Sequence, residues 1–271
     1  MKEAVIFVAD THINSKVGLC LPEVLEDDGD TYKANLIQEW LWYTWNKCIK
    51  DIKKIVKKRY TTVILNGDVA DLDSKKRTNQ MVSRNPNTIL RLARETLEPL
   101  TELADRVFVI RGTEAHVGKS GWIEEMLAES IGAEKNKDLG QWSWWHLRAK
   151  FSDVKFDIAH HTSMGNLPYT YPNSLTRLIQ VTKLNYLDWG ESLPDVIVRA
   201  HNHRHVDTGT TFSTRGVGLP GWQFPGNYLY RLGKENDRPH IGASVFICDK
   251  GEHEYKPLIY EPQRSEAWER T

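Results

Sequence analysis

An α/β fold of two sheets packed face to face, with helices on the outside, follows from three features of this 271-residue chain. Five short, mostly apolar runs rich in Val, Ile and Phe read as buried strands, at residues 4–9, 61–65, 107–110, 156–159 and 196–200. In the first half these runs alternate with helix-length segments, the pattern of roughly parallel strands joined by crossover helices. In the second half strand-like runs follow one another across short turns, which calls for a second sheet. With 40% hydrophobic residues the chain can bury a sizeable core, and α/β chains of this length often remain undivided, so residues 1–271 are expected to form a single domain.

Each element has its own justification. After the first strand, a polar loop over residues 14–30 leads into a long helix from about 32 to 58, with Leu36, Trp40, Tyr43 and Trp45 among its large apolar residues. A second helix is expected from about 88 to 104 with Asn87 or Thr88 as its cap, and a third from 122 to 130 that stops near Gly132. Residues 142–149 and 154–159 read as paired strands, followed by a helix near 174–187 and a strand at 195–200. Segments 241–248 and 253–259 form a hairpin across Asp249-Lys250-Gly251, and Pro257 places the end of its second strand at a sheet edge. Trp142 and Trp144 should share a strand face, and most of the ten tryptophans are expected in the core.

Two stretches are long enough to suggest a task. Residues 162–173 hold Gly165, two prolines and two tyrosines; residues 206–233 form a Gly-rich loop with Pro220, Trp222, Phe224, Tyr228 and Tyr230. They are expected to wall a substrate, with packing or an oligomer interface as the alternative.

Composition excludes several classes. Lys plus Arg equals Asp plus Glu at 36 each, and the densest basic stretch, residues 50–59, is spaced like one solvated helix face, so extended electrostatic binding to nucleic acid is disfavoured. Cys20, Cys48 and Cys248 are isolated, odd in number and without zinc-finger spacing, which suggests structural thiols in a reducing compartment. The N-terminal apolar stretch is too short for a signal peptide or membrane span and is interrupted by Asp10 and His12. A soluble cytoplasmic protein is expected.

Each of the five apolar runs ends in residues that bind metals. The clusters are Asp10 with His12, Asn66-Gly67-Asp68, the segment from Arg111 to His116, His160-His161, and His201-Asn202-His203. Loops leaving the carboxyl ends of strands in α/β sheets converge on one crevice. Carboxylates and imidazoles are the ligands that suit zinc, manganese, iron and nickel. A lone histidine at a strand end is more often a surface residue; five coincident clusters favour a metal site.

In that order, Asp10-Thr11-His12, Gly67-Asp68-Val69-Ala70-Asp71, a Gly-containing third motif ending in His116, a histidine cluster and His201-Asn202-His203 resemble the calcineurin-like metallophosphoesterases over about residues 1–205. The resemblance implies a four-layer α/β/β/α sandwich of two mixed sheets with flanking helices, carrying two divalent metal ions, manganese first and iron, zinc or nickel otherwise. It also implies that Asp10, His12 and His203 bind one metal, that His160 and His201 bind the other, and that Asp68 bridges them. Asp71 would orient a ligand histidine from behind. His160 is preferred to His161 because it directly ends the apolar run and adjacent strand residues point to opposite faces.

The third motif departs from the family's Gly-Asn-His, reading Gly112-Thr113-Glu114-Ala115-His116. Either Thr113 takes the place of the Asn or Glu114 supplies a carboxylate, and His116 reaches back as general acid or becomes a ligand itself; the favoured arrangement puts Glu114 on or near the metal and His116 as general acid. His205 stands where metallo-β-lactamase-like hydrolases have Asp in their His-x-His-x-Asp-His motif, so that alternative fails in detail.

The resulting expectation is a phosphoesterase, most of all a phosphodiesterase acting on a nucleotide or a single-stranded nucleic-acid end, in which water held between two metals attacks phosphorus in line. His116, assisted by Glu114, would protonate the leaving group. Arg111 or Arg204 would hold a non-reacting oxygen, a surface ion pair being an equal expectation for either. The alternatives are a phosphomonoesterase and an inactive metal-binding scaffold for protein interactions; the nearly complete ligand set argues against the latter. A homo-oligomer is left open.

Overall fold

The computed structural model describes residues 2–73, 80–162, 170–233 and 238–262. Along the chain lie β1 (Glu3–Val8), a small hairpin of β2 (Glu23–Leu25) and β3 (Thr31–Lys33), α1 (Leu36–Val56), β4 (Tyr60–Asn66), α2 (Pro86–Thr101), β5 (Arg106–Ile110), the single turn α3 (Glu114–Val117), α4 (Trp122–Ser130) and β6 (Ser143–Trp144). The remainder comprises β7 (His146–Phe151), β8 (Val154–Ala159), α5 (Tyr171–Asp188), β9 (Val196–Arg199), β10 (Val206–Asp207), β11 (Arg215–Gly218), α6 (Asn227–Arg231) and the hairpin β12 (Ile241–Asp249) and β13 (Glu252–Tyr260). One sheet has the order β13-β12-β1-β4-β5-β6 and the other β10-β11-β9-β8-β7. β1, β4, β5 and β6 run parallel, as do β8, β9 and β11, so both sheets are mixed.

The period-two alternation of β1 separates two cores. Ala4, Ile6 and Val8 pack beneath α1, α2 and α4, whereas Val5, Phe7 and Ala9 meet Phe156, Ile158 and Val198 of the second sheet. On the far side α5 lies over β11, where Leu175 and Ile179 occupy the space that any side chain at Gly216 would need. The result is an α/β/β/α sandwich. No helix among the described residues is long and apolar enough to cross a membrane.

Several boundaries differ from the sequence expectation. α1 begins at Leu36 rather than 32, because Asn35 Oδ1 accepts from the backbone N–H of Ile37 and Gln38 while Gln38 Oε1 accepts from Asn35 N, a closed capping box. Tyr32 instead sits in β3 and donates its hydroxyl to Gln38. α2 is capped by Asn85 with Pro86 in its first turn, two or three residues before the expected cap, and ends at Thr101. The expected strand over 142–149 is two: β6 extends the first sheet beside β5, and β7 pairs with β8 in the second. Trp142 and Trp144 consequently pack against different cores, while Trp145 and Trp189 are exposed at 46% and 60%. The supposed loop over 206–233 contains β10, β11 and α6, and its Trp222 is fully buried edge-on against Trp45. Most of the other long loop, residues 163–169, lies outside the described residues.

A buried charge cluster ties the second sheet together. Asp157 Oδ1 accepts from Arg199 Nη2 at 2.7 Å and faces His146 Nε2 at 3.0 Å, while Tyr186 donates to Oδ2. Burial alone would raise the Asp157 carboxyl; His146 and Arg199 outweigh it and hold the group below the usual carboxylate range. Asp157→Asn, which strands the buried guanidinium, should cost about 3–5 kcal/mol at pH 7 by urea denaturation. A carboxyl depressed in the folded state contributes stability above its unfolded pKa and loses it as pH falls toward its folded value. The gap between wild type and variant should therefore narrow below about pH 4; a gap that widens there refutes the assignment.

Candidate metal centre

All five expected clusters emerge at the carboxyl ends of β1, β4, β5, β8 and β9, and backbone bonds pull the loops together. Asp10 N donates to Gly67 O at 2.9 Å and His12 N to Asp68 O at 3.0 Å; across the sheets, His201 N donates to Asp10 Oδ2 at 3.1 Å. Thr113 N donates to Asp68 Oδ1 at 2.6 Å, an approach that Gly112 permits, since a Cβ there would collide with the Asp68 backbone. Asp10, His12, Asp68, His201 and His203 all adopt positive φ, between 43° and 76°. They are five of the eleven non-glycine residues with positive φ among the described residues. Each such residue costs on the order of 1–3 kcal/mol unless its surroundings compensate, and that cost concentrates here.

Two groups of donor atoms result. Asp10, His12 and His203 form one, and His160, His161 and His201 the other; Asp68 belongs to further groups with His12 and His116, and with Asp10 and His160. His12 Nδ1 is 2.8 Å from Asp71 Oδ1, so its proton lies there and the Nε2 lone pair faces His203 Nε2 at 3.1 Å. His160 Nδ1 donates to Asn66 O at 2.7 Å, which turns its Nε2 toward Asp68 Oδ2 at 3.1 Å and Asp10 Oδ1 at 3.9 Å. His160 Nε2 and Asp10 Oδ1 are both buried with no hydrogen-bond partner. Buried carboxylates and imidazole nitrogens converging in this way suit a cation, and these residues could hold metal ions.

The titration behaviour has the same cause. Burial would raise the Asp10 and Asp68 carboxyls, yet His203 and His160 beside Asp10, and His160 above all beside Asp68, hold both below the ordinary range. Burial would lower His160, but Asp68 and Asp10 push it up to about 10. The field that retains a proton on a buried imidazole is the field that would retain a cation.

The third motif resolves into separate tasks. Glu114, expected on or near the metal, is exposed and outside these groups; α3 turns its carboxylate away, where Oε1 accepts from Ser120 N at 3.1 Å. Thr113 Oγ1 instead lies 3.1 Å from both His161 Nε2 and His201 Nδ1. His116 Nδ1 is 2.6 Å from Asp71 Oδ1, with Nε2 4.0 Å from Asp68 Oδ2. Arg111 is buried and engaged with Ser143, Glu125 and Gln141, so it does not reach the site. Arg204 does, lining a cavity of about 440 Å³ with Lys16, Gln223 and Phe224 beside His12, Asp68, His116, His201 and His203.

One residue of the site was not anticipated. Glu124 of α4 is fully buried and accepts from Gly112 N and Val69 N, joining the loops after β4 and β5; burial and the Asp68 charge push it up to about 8. Its only sequence signal is an acidic residue on the helix face of Ile123, Leu127 and Ala128.

No family model matches the chain, and no curated protein does. Among solved structures, a hypothetical protein from Pyrococcus horikoshii is similar at 12% identity, with 96% of this chain and 89% of that one covered and a TM-score of 0.45. Vacuolar Protein Sorting 29 from Cryptosporidium parvum is similar at 12% identity, 96% and 99% coverage and a TM-score of 0.43. A 5'-nucleotidase from Candida albicans is similar at 10% identity, 90% of this chain and 46% of that one, with a TM-score of 0.37. Likeness of this degree bears on neither chemistry nor ligands, which rest on the geometry above.

Proposed function

We propose that the chain is a metal-dependent phosphoesterase that cleaves phosphodiesters, of a nucleotide or a nucleic-acid end, with one divalent cation at Asp10, His12 and His203, another at His160 and His201, and Asp68 between them. The observation that carries this reading is the pair of donor groups flanking one buried carboxylate at the floor of an open cavity. It takes the chain as a single domain, since both sheets contribute to the one site. Such cations polarise phosphoryl oxygens, bring the pKa of water toward neutrality and, being chosen among manganese, iron, zinc and nickel, match the donors present.

The chain's own residues supply the rest. Asp68, which shares donor groups with His12 and with Asp10 and His160, would offset the repulsion between two cations held there. Asp71 Oδ1 accepts hydrogen bonds from Nδ1–H of both His12 and His116, fixing each Nδ1 proton and aiming Nε2 inward. His116, on the cavity wall, would pass a proton to the departing alkoxide. Lys16 and Arg204 suit an anionic substrate, and Phe224 offers an aromatic surface to a base. The cavity volume falls in the range that encloses small ligands.

The test is hydrolysis of bis(p-nitrophenyl) phosphate against p-nitrophenyl phosphate after chelation and restoration of manganese. Preferential diester cleavage is expected. Preference for the monoester would replace the reading with a phosphatase, and no metal-dependent turnover of either ester or of nucleotide diesters would favour a metal-binding scaffold.

A further inference from the structure

The proposed centre leaves His161 without a task, although its ring does not turn away from the site as strand alternation would direct. β8 ends at Ala159, and His160 O accepts from Ala200 N at 2.8 Å. Beyond that bond the chain leaves extended pairing, so the face alternation that would send His161 away from His160 no longer applies. The two rings meet edge to face at 4.9 Å, and the His161 ring is 5.0 Å from that of His201. One nitrogen from each of the three imidazoles lies within 4.8 Å of the others. Thr113 Oγ1 lies 3.1 Å from both His161 Nε2 and His201 Nδ1, so both rings face the same hydroxyl. Its single proton can serve only one of them.

The two donor groups therefore differ in chemistry. One combines Asp10 with two imidazoles; the other offers three imidazoles, with Asp68 Oδ2 3.1 Å from His160 Nε2 and 3.8 Å from His201 Nδ1. Imidazole-rich sites suit zinc, iron and nickel, whereas carboxylate-rich sites suit manganese and magnesium; three imidazoles with one further position is a common zinc arrangement. We propose that His161 is a direct metal ligand, completing with His160 and His201 a three-imidazole position that takes zinc in preference to manganese. The proposal rests on the metal centre of the phosphoesterase reading but not on hydrolysis.

The test uses the full chain, stripped with chelator and reloaded with zinc and excess manganese, with metal content measured by mass spectrometry. Wild type should retain one equivalent of zinc beside manganese, and zinc-edge X-ray absorption should count three imidazoles at that equivalent. His161→Ala should lose one imidazole from that count and weaken zinc binding by more than about 100-fold, beyond the roughly 10- to 100-fold that loss of an orienting partner costs. Because His161 is exposed, the fold should survive, as the thermal transition of the metal-free protein would report. Thr113→Val, which removes only that shared hydroxyl, should keep all three imidazoles with a smaller loss of affinity. An unchanged imidazole count in His161→Ala overturns the proposal whatever the affinity. Failure of wild type to bind a second equivalent overturns it together with the two-cation centre, whereas intact binding without hydrolysis removes only the phosphoesterase reading.

Discussion

Asp68→Asn is expected to lower kcat/KM for diester hydrolysis by about 10²- to 10³-fold, the scale on which the loss of one preorganised electrostatic group acts. Among the described residues this carboxylate is the one acid that groups both with His12 and His116 and with Asp10 and His160. Its Oδ1 accepts from Thr113 N, a bond that the amide oxygen of Asn can retain, so the loop after β5 should keep its place. What the variant loses is charge: the anion that holds His160 and would offset the repulsion of two cations. Metal content should fall with activity while the circular dichroism spectrum stays unchanged. Retention of activity within tenfold of wild type, at saturating metal, would show that chemistry occurs elsewhere.

Asp71→Asn should act through other residues and still cost about 10³- to 10⁴-fold in kcat, by analogy with the loss when the acid behind a catalytic histidine becomes an amide. One oxygen, Oδ1, orders two rings: His12 at 2.8 Å and His116 at 2.6 Å. Burial would raise this carboxyl, but His12 and His116 hold it below the ordinary range, so it is an anion at neutral pH. An amide can offer its NH₂ to either ring; Nδ1 would then accept, Nε2 would carry the proton, and His12 would present a proton where a lone pair is needed. Metal affinity should weaken through His12 by roughly 10- to 100-fold. Raising the metal concentration should therefore restore occupancy without restoring kcat. Full recovery of kcat at saturating metal would reduce Asp71 to a support for the metal alone.

Much of the fold was legible because burial on both faces selects apolar runs, and β1, β4, β5, β8 and β9 are such runs. Elements whose identity depends on local chemistry were read less accurately. The start of α1 turned on the Asn35–Gln38 box rather than on the apolar pattern that begins at Tyr32. β11, with two glycines in four residues, carries almost no strand signal and is held by parallel pairing to β9. Trp222 looked like a residue of a substrate loop and is instead the core anchor of that segment, its backbone N–H donating to Asp10 O at 2.8 Å.

By itself, then, the sequence determined which strand ends carry carboxylates and imidazoles, because residue type and position along the chain are enough to place a cluster after a buried strand. Where those side chains point follows from packing and from hydrogen bonds between distant segments. Glu114 turns to Ser120, Arg111 to Glu125 and Ser143, His161 toward Thr113, and Glu124 arrives beneath Asp68 from a helix. Once a strand ends, its alternation no longer dictates direction; positive-φ turns and hydrogen-bond partners distant in sequence do, and those partners exist only when the two sheets have packed.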